Sequence, residues 1–401
     1  MKKNLVLLLT ICFSSLFAQG IQEQNFSFNH KGCFFNASIS YPNGNGPFPA
    51  IMLIPGSGQN DRDGNLTLSG GNSQCLYPNL VDSTITIYKD LARGLSERGY
   101  LVLRFDELFI SCPNTPTPVS DYEKLLLPAN SALDSLAVHP LVDANKLYLM
   151  GHSEGGSLIN YIATKRSDIA ALINIAGAYT PFDSLLAKQL VDIANLCGGN
   201  VAMAQNQASQ ILSYFTNLRN GSPGLPPFAG ATAGTWTKYI NVNDSVLENY
   251  RIANLPTLFL GMANDFNVPS AEWQRFKDSL SPVSQNSFYQ LSGLNHYLTN
   301  DSIPQVDQRV MDTIHYFLSQ QNGLGLLEQQ KGFLEIYPNP SKGYIKVEAS
   351  EALVGEELNI YTAQGKLVFN ERLKTATDLV LPVGTYYFSC GSRQEIILVR
   401  P

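Results

Sequence analysis

The hydrophobic positions between about residues 21 and 320 form two kinds of pattern that alternate along the chain. Short continuous apolar runs, typical of strands buried on both faces of a sheet, occur at Ala50–Ile54, Tyr100–Phe105, Lys146–Met150, Ala171–Ile175, Thr257–Gly261 and Ser287–Leu291. Between them, apolar residues recur every three or four positions, as over residues 85–95 and 303–317, which predicts helices. A looser alternation over Phe26–Tyr41 around Lys31-Gly32 predicts an antiparallel hairpin at a sheet edge. Together these patterns predict an α/β fold with a doubly wound, mostly parallel sheet.

Two later regions break this alternation. Over residues 179–253 the strand signal disappears, and helical pieces at Ser184–Ala194 and Asn206–Leu218 precede a Gly/Pro-rich loop at 221–234. We predict a helical lid inserted over the sheet, the alternative being a surface excursion with no role in binding. Residues 320–332, rich in Gln, Gly and Leu, predict a linker. Residues 333–401 have short alternating segments and turn signals at Pro338-Asn339-Pro340 and Gln364-Gly365, which predict a small all-β sandwich.

The N-terminus has the pattern of a secretory signal peptide. Lys2 and Lys3 precede the apolar run Leu5–Phe17, which ends at Ala18. A run of roughly 13 apolar residues is too short to span a bilayer. We therefore predict removal of residues 1–18, a catalytic domain over 19–319, and passage through the periplasm to the outside or the cell surface.

Export exposes the cysteines to oxidising conditions. The mature chain would keep five of them, an odd number that leaves at least one free thiol. Cys75 and Cys112 both fall in polar loops and are a candidate disulfide pair. No CxxC spacing or other metal motif occurs, and the glycine-rich loop after the first buried strand fits neither a dinucleotide fingerprint nor a calcium loop. The sequence therefore predicts no cofactor and no metal.

Charge and composition exclude other classes of protein. The net charge is −6 and Lys and Arg do not cluster, which argues against nucleic-acid binding. An apolar fraction of 44% supports a sizeable buried core and argues against a largely disordered chain. Beyond the N-terminal run, no segment is long and apolar enough to predict a transmembrane helix.

The segment Gly151–Gly155 fits the pattern G-x-S-x-G, which is weak by itself and informative in its context. It directly follows the predicted strand Lys146–Met150 and precedes a helical run at 156–165. A nucleophile elbow requires this strand–turn–helix arrangement, with small residues around the serine. We predict Ser153 as the nucleophile.

A serine hydroxyl needs a base, and the acid and the base of such folds follow the serine along the chain. Among five histidines, only His296 lies after the last predicted strand and before the last predicted helix. Asp265 follows the strand Thr257–Gly261, where the orienting acid belongs, although a helix-capping role is the alternative. The predicted catalytic set is Ser153, Asp265 and His296.

Backbone N–H groups must stabilise the oxyanion. We predict those of Glu154 and of Ser57, which lies in the loop after Ala50–Ile54. Gly58, Glu107 and His152 are candidate substrate-binding residues.

In the same loop, Asp61, Arg62 and Asp63 predict internal ion pairs that shape it, rather than direct substrate contact.

Residues 21–320 resemble bacterial α/β-hydrolases related to dienelactone hydrolases and esterases. The resemblance is carried by Gly56-Ser57-Gly58-Gln59-Asn60-Asp61-Arg62-Asp63-Gly64, Gly151–Gly156, Asp265-Phe266-Asn267-Val268-Pro269 and Asn295-His296. It implies hydrolysis of carboxylic esters through an acyl-enzyme, with a small-molecule ester as substrate. The chain departs from the family after Arg104-Phe105-Asp106, where Glu107-Leu108 replaces an Arg-Gly turn beside the pocket.

The tail resembles the type A C-terminal sorting domain of the type IX secretion system. The matching segments are Tyr337–Gly343, Ile360–Leu367 and Leu381–Tyr387. The resemblance implies the type IX machinery as a partner and export across an outer membrane. A carbohydrate-binding sandwich is the alternative.

These features predict a secreted serine esterase. A secreted peptidase with the same triad is one alternative, favoured by a cavity in which carboxylates such as Glu107 or Glu154 could receive a peptide N-terminus. A catalytically inactive binding or adhesion protein is the other, although all three triad positions are filled.

Overall fold

The computed structural model of the protein describes residues 20–115, 125–281, 283, 285–321, 334–337, 342–349, 353–362, 366–390 and 393–399. The predicted signal peptide, most of the predicted linker and the turn signals at residues 338–340 and 364–365 lie outside the described residues. The domain boundaries given above therefore stay predictions.

The first part of the chain alternates strands and helices as predicted. The strands are β1 Ile21–His30, β2 Cys33–Pro42, β3 Phe48–Ile54, β4 Asn65–Thr67, β5 Thr84–Thr86, β6 Leu101–Phe105, β7 Val142–His152, β8 Ile169–Ile175, β9 Thr257–Met262 and β10 Ser287–Leu291. The helices are α1 Gly71–Leu76, α2 Ile87–Ser96, α3 Leu108–Ser111, α4 Leu127–Ala137, α5 Glu154–Ala163, α6 Phe182–Leu196, α7 Val201–Arg219, α8 Ala233–Asn243, α9 Val246–Ala253, α10 Ser270–Leu280 and α11 Gln308–Gln321. Among the described residues, no helix combines the length and the hydropathy that a membrane span needs.

Eight of these strands form one sheet in the order β1-β2-β6-β3-β7-β8-β9-β10. The pairs from β6 to β10 are parallel, and β1 and β2 form the predicted antiparallel hairpin at one edge. Strands β3, β6 and β7 are buried on both faces, because separate apolar clusters cover the two sides of the sheet. The α/β class with a mostly parallel sheet is confirmed.

Some element bounds differ from the hydrophobic pattern. Ile85 was expected on a helix, but it pairs with Leu66 in the two-stranded sheet of β4 and β5, and α2 begins at Ile87. The last helix begins at Gln308, and Ile303 is exposed ahead of it. Helix α8 begins inside the predicted Gly/Pro-rich loop, where Thr232 caps it by accepting a hydrogen bond from the backbone N–H of Thr235.

The region without strand signal consists of helices α6 to α9. The first three share an apolar cluster of their own, in which Phe215, Trp236 and Tyr239 are buried. Val246 and Tyr250 of α9 belong instead to the main core. The insertion is therefore a small helical layer with its own core, attached to the sheet through its last helix.

The C-terminal part is all-β, as predicted. Its strands are β11 Leu334–Tyr337, β12 Tyr344–Ala349, β13 Glu357–Thr362, β14 Leu367–Arg372, β15 Ala376–Val380, β16 Gly384–Cys390 and β17 Arg393–Val399. They form two antiparallel sheets, β11-β12-β15 and β14-β13-β16-β17. Side chains such as Val347, Ile360 and Phe388 form a separate core, which is the arrangement of a small sandwich.

The predicted disulfide between Cys75 and Cys112 is wrong. Cys112 bonds to Cys33, with Cα atoms 6.1 Å apart, and Cys75 bonds to Cys197, with Cα atoms 5.6 Å apart. Both separations suit a disulfide, whose Cα atoms must lie within about 7 Å. Partner choice depends on which loops the fold brings together, and loop polarity carries no such information. Cys390 is the free thiol among the described residues, and it is buried.

Candidate active site

Ser153 sits on the sharp turn between β7 and α5. Its φ is 54°, a left-handed conformation that a non-glycine residue adopts at a cost. Neighbouring backbone leaves no room for side chains: a Cβ at Gly151 would overlap the backbone of Gly155, and one at Gly155 would overlap the carbonyl of Ile54. The glycines are required by close packing around the turn, as the sequence predicted.

The structure brings the three predicted catalytic side chains together. His296 Nε2 lies 3.0 Å from Ser153 Oγ, and His296 Nδ1 lies 2.7 Å from Asp265 Oδ2. A carboxylate only accepts hydrogen bonds, so Nδ1 carries a proton and donates it to Asp265, while neutral His296 accepts from the serine hydroxyl at Nε2. This geometry is suited to moving a proton from Ser153 to His296.

The loops that follow β9 and β10 hold the predicted acid, Asp265, and the predicted base, His296. Asp265 is 6% exposed, and its Oδ1 accepts the backbone N–H of Val268 at 2.8 Å. Asn295, directly before the base, accepts the backbone N–H of Tyr297 at 2.9 Å and donates to Thr299 Oγ1 at 2.9 Å. These bonds fix both loops and leave Asp265 Oδ2 and the His296 ring free to face each other.

The side chain of His152 supports His296 by binding the backbone carbonyl of that residue. Its Nε2 lies 2.9 Å from the carbonyl oxygen of His296, which can only accept, so Nε2 carries the proton. Burial and the neighbouring His296 lower the pKa of His152 to about 3, and the ring is neutral at ordinary pH. His152 lines the larger cavity described below, yet it is only 3% exposed. Its observed hydrogen bond holds the loop that carries His296, and a contact of His152 with substrate stays a prediction.

The loop after β3 carries Ser57 beside Ser153. The residue before Ser57 is Gly56, whose backbone N–H donates to the Tyr88 hydroxyl at 2.8 Å. Asn60 Nδ2 donates to the Gly56 carbonyl and to Glu107 Oε1, both at 2.9 Å. Glu107 is fully buried and is not among the residues that line either cavity at Ser153, and its contact with substrate stays a prediction that neither observation supports. It lies behind the loop and anchors Asn60.

Arg62 and Asp63 form ion pairs, but their partners lie outside the loop, and not within it as the sequence predicted. Arg62 Nε lies 3.4 Å from Asp106, and Asp63 lies 3.0 Å from the buried Arg104. Asp61 accepts the backbone N–H of Asp63 at 3.0 Å. The charged stretch thus fastens the loop to the end of β6.

Two cavities meet at Ser153. The smaller, about 70 Å³, lies under the helical insertion and is lined by Ser57, Ser153 and Glu154 together with side chains such as Phe182, Leu185, Leu186 and Tyr239. The larger, about 310 Å³, is lined by Ser57, Gly58, Ser153, His152 and His296 together with Gln59, Asn60, Asn65, Asn267, Tyr88 and Tyr297. The predicted oxyanion donors, Ser57 and Glu154, both border the smaller cavity at Ser153.

Several residues of the site carried no sequence signal. The hydroxyl of Tyr239, far along the chain on α8, donates to Glu154 Oε1 at 2.6 Å. Glu272 on α10 accepts the backbone N–H groups of Tyr179 and Thr180 at 3.0 and 2.6 Å, and thereby holds a loop that borders the smaller cavity. Tyr88, whose hydroxyl accepts the Gly56 N–H, lies within the helical pattern of residues 85–95, which gives no sign of a polar role. Only the fold brings these residues to the serine.

A metal centre would need a group of ligating side chains within the part of the chain that the structure describes. No group of three or more His, Cys, Asp or Glu side chains there is arranged to hold an ion.

Comparisons with known proteins agree with both parts of the chain. Residues 335–397 match the family described as the secretion system C-terminal sorting domain, and residues 130–234 match the C-terminal domain of BAAT and acyl-CoA thioester hydrolases. Esterase EstD from Thermotoga maritima is 26% identical over 303 residues, which cover 72% of this chain and 67% of that protein.

Solved structures show weaker similarity. Est1E from Butyrivibrio proteoclasticus is 15% identical with a TM-score of 0.46, covering 75% of this chain and 99% of that one. The α/β hydrolase GrgF from Penicillium sp. sh18 is 17% identical with a TM-score of 0.47, over the same shares.

Proposed function

Since the chain joins an α/β-hydrolase fold, similar in sequence to an esterase, to a secretion-system C-terminal sorting domain, we propose that it is a secreted serine esterase with Ser153 as nucleophile. The sorting domain marks the protein for secretion or the cell surface. Export would use the type IX machinery, with passage through the periplasm after removal of the predicted signal peptide.

In the proposed reaction, Ser153 Oγ attacks the ester carbonyl as His296 Nε2 takes its proton. Asp265 keeps the imidazole in the reactive tautomer and stabilises the imidazolium. The backbone N–H groups of Ser57 and Glu154 would receive the developing oxyanion. His296 then returns the proton to the departing alcohol, and water releases the acyl group from Ser153 by the same steps.

The observation that carries this proposal is the continuous chain of two hydrogen bonds, 3.0 Å from Ser153 Oγ to His296 and 2.7 Å from His296 to Asp265. The strained elbow supports it, because a non-glycine residue is held at φ 54° where a nucleophile is needed. An inactive binding protein has no need for either feature.

The other hydrolytic reactions are less well supported. An acyl-CoA thioester carries several phosphates, yet no Lys or Arg among the described residues lines the larger cavity at Ser153. A peptidase that binds a free N-terminus needs a carboxylate in reach. Glu107 is buried away from both cavities, and the Glu154 carboxylate, which borders the smaller cavity, already accepts the Tyr239 hydroxyl at 2.6 Å.

The test is hydrolysis of p-nitrophenyl acetate by the processed protein and by Ser153→Ala. Removal of the nucleophile should lower kcat by at least about 10³-fold, leaving only the catalysis of the oxyanion donors. Ser213→Ala, an exposed serine on α7, is the matched control and should keep full activity. Equal rates in the wild type and Ser153→Ala, or turnover of aminoacyl anilides without turnover of esters, would contradict the proposal.

A further inference from the structure

We propose that the substrate is an ester of a short acyl group with a neutral, polyhydroxylated alcohol of the size of a sugar. This inference rests on the proposed esterase function and adds the chemical class of both halves of the substrate. It follows from the different composition of the two cavities that meet at Ser153.

The position of His296 identifies the alcohol side. In acyl transfer the imidazole must hand its proton to the oxygen of the leaving alcohol, so that oxygen lies next to Nε2. His296 lines the larger cavity and is not among the residues that line the smaller one. The larger cavity therefore receives the alcohol. The smaller cavity, bordered by Ser57, Ser153 and Glu154, receives the acyl chain.

The lining of the larger cavity matches a neutral polyol. Four primary amides, Gln59, Asn60, Asn65 and Asn267, contribute to it, of which Asn60 and Asn65 also donate to groups of the protein, and no Asp, Glu, Lys or Arg among the described residues lines it. An amide both donates and accepts hydrogen bonds, as a sugar hydroxyl does, whereas a charged ligand would need an opposite charge. Tyr297, which is half-buried, also lines this cavity and can pack against a ring.

The volumes place the bulk of the substrate on the alcohol side. About 310 Å³ lies within the range of small-molecule pockets, roughly 300–1,000 Å³, whereas the acyl cavity has about 70 Å³. Apolar side chains of α6, Phe182, Leu185 and Leu186, form part of the wall of the acyl cavity. A short chain fills this space and a long one does not.

The wall of the acyl cavity is tied down. Cys197 directly follows α6, and its disulfide with Cys75 fastens this end of the helix to α1. The wall residues lie at the other end of α6, where the backbone N–H of Phe182 donates to Asn243 Oδ1 at 2.7 Å. The two attachments together limit how far α6 can withdraw to admit a longer acyl chain.

The test uses matched esters and the full processed protein. Methyl glucoside 6-acetate and cyclohexylmethyl acetate share the acyl group and the ring size and differ in the hydroxyls. We expect kcat/KM to be at least about tenfold higher for the sugar ester, since a site built for hydroxyls rejects an analogue without them. With the sugar fixed, replacing acetyl by octanoyl should lower kcat/KM by about tenfold or more.

Two variants test the alcohol cavity and the acyl cavity independently. Gln59→Leu, at an exposed position on the rim of the larger cavity, should reduce the preference for the sugar over the cyclohexyl ester by about fivefold. Leu186→Ala should raise the octanoyl-to-acetyl ratio and leave the preference for the sugar in place. Gln207→Leu, an exposed glutamine on α7, is the control for the amide substitution and should change neither ratio.

Failure of this inference can be distinguished from failure of the proposed function. If Ser153-dependent hydrolysis of p-nitrophenyl acetate is found but the cyclohexyl ester is the better substrate, the polyol assignment is overturned and the esterase stands. If Gln59→Leu changes the acyl-length ratio and not the alcohol ratio, the cavities have been assigned the wrong way round. If no ester is hydrolysed, both proposals fall together.

Discussion

The buried ring of His152 makes the stability of the hydrolase part sensitive to acid. The ring lies between Tyr88 and His296, with ring centroids 6.0 and 5.0 Å away, and burial with its neighbour His296 lowers its pKa from 6.5 to about 3. In the unfolded chain the ring is exposed and its pKa returns to about 6.5. Between these two values the unfolded state binds a proton that the native state does not bind. We propose His152→Gln as the perturbation, because an amide cannot take up that proton and can still donate to the His296 carbonyl.

The magnitude follows from the two pKa values. His152 contributes fully to stability above pH 6.5, and this contribution is lost as the pH falls toward about 3, at 1.36 kcal/mol for each pH unit. Between pH 7 and pH 4.5 the wild type should lose about 2–3 kcal/mol of unfolding free energy through this ring alone. His152→Gln should lose that much less over the same interval. Any change in packing enters at both pH values and cancels.

Guanidinium chloride unfolding at pH 7 and pH 4.5, followed by tryptophan fluorescence, measures this difference. Both tryptophans of the chain, Trp236 and Trp273, lie in the hydrolase part, so the signal reports that part. His139→Gln is the comparison, since that ring is only half-buried. Equal losses of stability in the wild type and in His152→Gln would refute the reasoning, because they would mean that His152 is protonated to the same extent in both states.

Two further variants test the catalytic set and the tether of the insertion. Asp265→Asn should lower kcat toward p-nitrophenyl acetate by about 10⁴-fold, since the amide no longer holds His296 in the reactive tautomer; a loss below tenfold would speak against the assigned role. The double variant Cys75→Ser/Cys197→Ser should lower the free energy of unfolding by about 2–4 kcal/mol, because the bond joins residues 122 apart. An unchanged guanidinium midpoint at constant slope would show that this bond adds no stability.

Local patterns were enough to predict the sheet and the elbow. A strand buried on both faces must be apolar throughout, so β3, β7 and β8 were visible as runs. Only glycine fits at positions 151 and 155, two residues before and after Ser153. The positions of Asp265 and His296 followed from strand order alone. Chain order in a parallel sheet fixes which loops lie at its carboxyl edge, which is why residues 112 and 143 positions away from Ser153 could be named.

The sequence by itself thus determined the α/β class, the all-β tail and three residues that meet in space. The tertiary structure alone decided the disulfide partners, the support given by His152, the buried position of Glu107 and the two cavities. The physical reason is the range of the interactions. Strand burial and turn geometry are set by neighbours in the chain, whereas a sulfur–sulfur bond, a shared hydrogen bond or a cavity wall depends on distances between segments that only packing brings together.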